Sequence, residues 1–170
     1  MSEGISPARR VALCGLLAAL MLALGYVESL FPLSGAVPGL KLGLSNTVLL
    51  YAAYLLPLPT AWLLLALKVL LSTLLYAGAS AFWFSLAGGV LSLGTMLLLR
   101  RARGVSVLGV SIAGALAHNL GQMLVAVAVL GTGRLWVYFS VLALSAAGTG
   151  LLTGIVAKAC IAHIGQKKSA

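Results

Sequence analysis

Aspartate is absent from this chain, and glutamate occurs only as Glu3 and Glu28. Reactions that hold metal ions on clustered carboxylates are therefore nearly excluded, and a glycosidase-type carboxylate pair would have to recruit those two glutamates. Cysteine is equally sparse. Cys14 and Cys160 lie in apolar segments without CxxC spacing or a second ligand nearby, which reads as two buried, reduced thiols. No GxxxxGK[ST] loop is present to hold a nucleotide. Charged residues make up 8% of the 170 residues, against about a quarter in soluble domains. No metal, cofactor or catalytic residue is expected, and the chain reads as a non-enzyme.

Apolar residues fill the space that charge leaves, at 62% of the chain. The net charge of +9 resembles a nucleic-acid binder's, but the basic residues stand between long apolar runs. Basic caps on membrane spans explain that placement more simply. The expected partner is the lipid bilayer, with no nucleic acid. The fold class that follows is an all-α integral membrane protein.

A helix needs about 20 apolar residues to cross the hydrocarbon core. The first run, 11–31, follows Arg9 and Arg10 and stops at Pro32. It is too long for a secretory signal and lacks a small-residue cleavage site before Glu28, so it reads as a retained span. Residues 32–41, with two prolines and two glycines, read as a loop. A short second span covers 42–56 and opens on Ser45, Asn46 and Thr47. Pro57-Leu58-Pro59 reads as a tight turn, with Thr60 capping a third span over 60–77. The remaining spans fall at 81–99, 105–130 and 135–161, all within one membrane domain covering 1–170.

The second span is short, and the basic residues arbitrate. With six spans and a cytoplasmic N-terminus, Arg9, Arg10, Arg100, Arg101, Arg103, Lys158, Lys167 and Lys168 lie inside, which is eight of the 11. Lys41 and Arg134 then lie outside and Lys68 within a span. Omitting the second span puts the arginine triplet on the opposite side from Arg9 and Arg10. The positive-inside rule therefore selects a six-transmembrane-helix bundle with both termini cytoplasmic. The expected location is a cell membrane, multi-pass, of the bacterial cytoplasmic kind. Two three-span halves would have inverted topology, but no repeat is visible between them.

Small residues four apart mark helix contacts in a bilayer. Gly15, Ala19 and Ala23 form such a stripe on the first span, Ala113, Ala117 and Gly121 on the fifth, and Ala146, Gly150 and Gly154 on the sixth. The last two read as packing within the bundle. The first reads either as internal packing or as a docking face for a partner protein.

Polar groups inside a membrane are costly and usually line a cavity or bind something. Following chain direction, Glu28 lies near the outer end of the first span, Lys41 at the outer entrance of the second, and Asn46 about one turn further in. Lys68 is mid-span in the third helix, Trp83 at the outer start of the fourth, and His118, Asn119 and Gln122 in the middle of the fifth. His118 and Gln122 are i,i+4 on one face. Asn119 and Gln122 could each serve only an interhelical hydrogen bond, and Lys68 could neutralise Glu28 or snorkel. Together the set reads as a polar pocket opening outward, and its cationic excess suits an anionic ligand group.

The run Pro38-Gly39-Leu40-Lys41-Leu42-Gly43-Leu44-Ser45-Asn46 resembles the Pro-Gly-Ile-Lys-Leu-Gly-Leu-Ala-Asn signature of the Gx transporter family, also labelled heptaprenyl diphosphate synthase component I. Gly114-Ala115-Leu116-Ala117-His118-Asn119-Leu120-Gly121-Gln122 is similar to its second signature, and the resemblance extends over nearly the whole chain. The family looks like the substrate-binding S-components of energy-coupling factor (ECF) transporters. The resemblance implies a six-helix membrane protein that takes a small molecule from outside. It also implies that Gly15, Ala19 and Ala23 dock a coupling membrane subunit, that residues 32–41 close over the substrate, and that separate ATPase subunits supply energy. The synthase label fits the composition poorly. Prenyl diphosphate synthases of the usual kind hold magnesium on aspartate-rich motifs, and this chain has no aspartate. The alternative expectation is a non-catalytic membrane subunit serving isoprenoid, quinone or flavin-dependent electron-transfer machinery.

Overall fold

The computed structural model describes residues 7–30 and 44–166, and Lys41 with the loop at 32–41 lies outside them. Among the described residues there are six α-helices and no strand. They are α1 (Pro7–Leu30), α2 (Leu44–Leu55), α3 (Leu58–Ser72), α4 (Ala81–Leu99), α5 (Val107–Leu130) and α6 (Trp136–Gln166). The third continues as a π turn over Thr73–Ala77, and a 3-10 turn at Gly133–Leu135 precedes α6. Five of these segments are long and apolar enough to cross a membrane, with α3 counted through Ala77. The exception is α2, whose 12 residues rise about 18 Å.

Local chemistry sets the helix ends. Thr60 is not the cap of α3, contrary to expectation. The helix begins two residues earlier, with Pro57 as cap and Pro59 in the first turn. Proline is tolerated there because its missing N–H would have no intrahelical acceptor. Ser106 caps α5 by accepting the Gly109 N–H at 3.1 Å, so that helix starts after the expected 105. It ends on Gly131, whose φ of 64° is the left-handed conformation that glycine adopts without a Cβ clash.

The long helices follow one another around α2. Helix α1 packs on α2 and α3, α3 on α4, α4 on α5, and α5 on α6, while α2 touches all five of the others. The short helix is thus the innermost one, with Leu49, Leu50, Ala52 and Ala53 fully buried. A helix enclosed by protein satisfies its surroundings without matching the hydrocarbon thickness, which is why so short an apolar run is stable here.

Two interfaces bring backbones into contact. At the α4–α5 crossing, a Cβ on Gly121 would stand 2.6 Å from the Ala87 carbonyl oxygen and 2.8 Å from the Gly88 Cα. At α5–α6, one on Gly150 would stand 2.8 Å from the Ile112 Cα. The Ala146–Gly150–Gly154 stripe is buried against α5, where Ser111 and Thr153 also share a buried hydrogen bond of 3.1 Å. On α5, by contrast, the face that meets α4 is Gly114–His118–Gly121, and Ala113 and Ala117 are only half-buried.

Candidate functional site

The clearest polar contact inside the bundle joins α2 to α3. Lys68 Nζ donates to Asn46 Oδ1 at 3.0 Å. Lys68 lies midway between Leu58 and Ala77, on the side of α3 that buries Ala61, Leu64, Leu65 and Ser72. Asn46, in the first described turn of α2, is buried at 7% exposure. The contact therefore places the start of the described part of α2 near the middle of the bundle's depth.

His118 stands at a similar level across the interior. Its ring packs on Gly88 of α4, where a Cβ would come within 2.9 Å of Cε1 and Nδ1. The neighbouring Gly89 would collide with Leu65 of α3, which lies about one turn from Lys68. Asn119, one residue on, turns toward α6 instead, and its Nδ2 donates to the Leu142 carbonyl at 3.0 Å. The Ser145 hydroxyl donates to the same carbonyl at 3.1 Å. Asn119 thus ties α5 to α6. Gln122 is buried on α5, one turn from His118.

Glu28 occupies the far end of the same interior. It is 8% exposed and shares a face of α1 with the buried Leu17 and Met21. Tyr76, at the end of α3, lies within electrostatic reach of it. The Tyr76 hydroxyl sits against Gly25, where a Cβ would strike it, and its ring meets Tyr26 edge-on at 5.8 Å. Ser72, whose hydroxyl donates to the Val69 carbonyl at 3.2 Å, lies near Tyr76. Neither Ser72 nor Tyr76 stands out in the sequence, because Ser72 lies beside Thr73 and Tyr76 is an isolated aromatic residue at the end of an apolar run. Ser92 was equally hidden. It is fully buried on α4, one turn from Gly88, and its Oγ has no hydrogen-bond partner among the described residues.

Trp83 is not gathered into this set. It is 64% exposed at the start of α4 and packs edge-on against Phe82 at 5.2 Å. Tyr26, Trp136 and Tyr138 are also exposed at the same end of the bundle, an arrangement typical of aromatic residues at a membrane–water interface.

Gly15, Ala19 and Ala23 are all exposed, on the side of α1 opposite Leu17, Met21 and Glu28. A Cβ on Gly15 would meet nothing within 4 Å. Helix α1 thus carries buried Glu28 on one face and an uncovered small-residue stripe on the other. Among the described residues no three of His, Cys, Asp and Glu cluster as a metal site would require.

A family model described as heptaprenyl diphosphate synthase component I matches residues 17–160. No curated protein matches the chain, and no solved structure matches it.

Proposed function

Since the chain belongs to the heptaprenyl diphosphate synthase component I family, we propose that it is a non-catalytic membrane component, and specifically a substrate-binding S-component of an ECF-type uptake transporter. In this reading it crosses a cell membrane six times with both termini cytoplasmic, the Glu28 end facing outward. A small molecule with an anionic group enters from that side and is held by Lys68, Asn46 and His118, with Lys41 contributing from the loop and Gln122 and Asn119 from α5. A coupling membrane subunit docks on Gly15, Ala19 and Ala23, and ATPase subunits supply the energy.

The observation that carries this reading is the half-buried Lys68–Asn46 contact at mid-depth. A lysine there is expensive in hydrocarbon, and such residues mark substrate or ion paths. The two-faced α1 adds support, because it lets one helix serve the interior and an outside partner together. Mass spectrometry of small molecules extracted from the gently purified protein tests it. A single organic anion should be recovered from the wild type and lost from Lys68→Met, and recovery of lipid and detergent alone from both would refute it.

The family's description favours a second reading, in which the chain serves a prenyl-diphosphate-forming enzyme as its membrane subunit. The absence of aspartate makes it a presenting rather than a catalytic partner in that case, since the diphosphate leaving group needs metal ions held by carboxylates. Association with a soluble prenyl synthase, or with a redox subunit, would favour this alternative.

A further inference from the structure

The buried and half-buried polar groups are sorted by charge along the depth of the bundle. Lys68, Asn46 and His118 form one level near the middle. Glu28, Tyr76 and Ser72 form a second toward the Leu30 and Ala77 ends of α1 and α3. Lys68 and Tyr76 are separated by about 12 Å of helix rise. No acidic residue joins the first level among the described residues, and no basic residue other than Lys68 lies on α3.

A departure from regular helix aligns the two levels. In an ordinary α-helix Tyr76 would be rotated about 80° from Lys68 after eight residues. The π turn over Thr73–Ala77 takes more residues per turn and brings Tyr76 back toward the Lys68 side. It closes through the Gly78 N–H donating to the Thr73 carbonyl at 3.1 Å, and Gly78 makes this stop at φ 79°, where a Cβ would be strained. Such turns recur at functional sites because they re-aim side chains at a local cost.

Resting on the binding role proposed above, we propose that the ligand is dipolar. Its anionic group lies against Lys68 and Asn46, and a cationic or hydrogen-bond-donating group lies against Glu28 and Tyr76. Glu28 and Lys68 keep protein contacts of their own, so each ligand end joins a group already held in place. Coulomb attraction falls with distance, so groups held at separate levels attract one another less than each attracts a ligand group in contact with it. A ligand that touches both levels gains a close contact at each. A purely anionic ligand would leave the Glu28 level opposing it.

Thermal unfolding of the purified full-length chain with three probes tests this assignment: ω-aminooctanoate, octanoate and octylamine. Wild-type protein should be stabilised most by the ω-amino acid. Glu28→Gln should reduce that stabilisation to the level given by octanoate, and Tyr76→Phe, which keeps the ring, should raise the half-saturating concentration about tenfold. Lys68→Met should lose the response to both acids. Equal responses to octanoate and ω-aminooctanoate, with Glu28→Gln unchanged, would overturn the dipolar assignment and leave anion capture standing. Absence of any wild-type response to the ω-amino acid would overturn it as well, while ligand extraction judges the binding role separately.

Discussion

Lys68 on α3 and Asn46 on α2 meet at 3.0 Å near mid-depth, through an ammonium donating to an amide oxygen. This contact ties the innermost helix to one of the five around it. It also fixes how far α2 reaches, because its partner lies midway along a full-length helix. A short central helix beneath a polar level is the geometry from which the capture role is argued.

Removing one side of this contact should cost more than removing both. Asn46→Leu leaves the Lys68 ammonium without that acceptor and should lower stability by about 1.5–3 kcal/mol. Lys68→Met combined with Asn46→Leu should recover much of the loss, since two apolar groups strand no partner. Thermal unfolding of the two single variants and the double variant gives the coupling. Additive losses would show that the contact contributes nothing to the fold.

The α4–α5 crossing makes a second prediction. Gly121→Ala would press a methyl group into the Ala87 backbone, which cannot rotate away, and should cost about 1–3 kcal/mol. Gly148→Ala, with nothing within 4 Å of the added carbon, should be close to neutral. Unfolding midpoints compared with wild type test both, and equal effects would contradict the crossing.

Five apolar runs were legible in the sequence because hydrocarbon imposes length and composition directly, whereas helix ends such as that of α3 were set by local capping. The order of helices around α2 was not. Its 12 residues signal a marginal span, and nothing in Leu44–Leu55 says that the others enclose it. The small-residue rule found the α6 face correctly. On α5 it favoured Ala113 and Ala117, although His118 rather than an alanine fills the space between Gly114 and Gly121 against α4. At the candidate site, Asn46, Lys68, His118, Asn119, Gln122 and Glu28 were visible as polar residues in apolar surroundings. Their division among neighbours was not, because adjacent residues such as His118 and Asn119 point about 100° apart and reach different helices. Tyr76 was hidden for another reason, since its direction depends on a π turn that carries no local sequence signal.

The topology can be read by labelling. In a background lacking Cys14 and Cys160, a cysteine at Arg101 should react with a membrane-impermeant reagent only after the cells are opened. A cysteine at Ser80, in the exposed turn between α3 and α4, should react in intact cells. The reason is the clustering of basic residues at one end of the spans. The reverse pattern would invert the proposed orientation.

The exposed stripe on α1 yields a prediction about partners. Leucine at Ala19 or Ala23 adds bulk on the exposed side of the helix, so folding and ligand retention should be nearly unchanged. A coupling subunit that needs close backbone approach would be held away, since in lipid little hydrophobic drive replaces lost packing. Partner recovery and bound ligand, measured on the same variants, separate docking from internal packing. Loss of both together would place the stripe inside the working bundle.

The capture role itself is tested most directly by purifying the tagged full-length chain from its own membranes and identifying by mass spectrometry the subunits that remain with it. The account predicts a coupling membrane subunit and ATPases in fixed ratio with wild type, absent from Ala19→Leu and Ala23→Leu. Recovery of a prenyl synthase or redox subunit instead, unchanged by those substitutions, would contradict it.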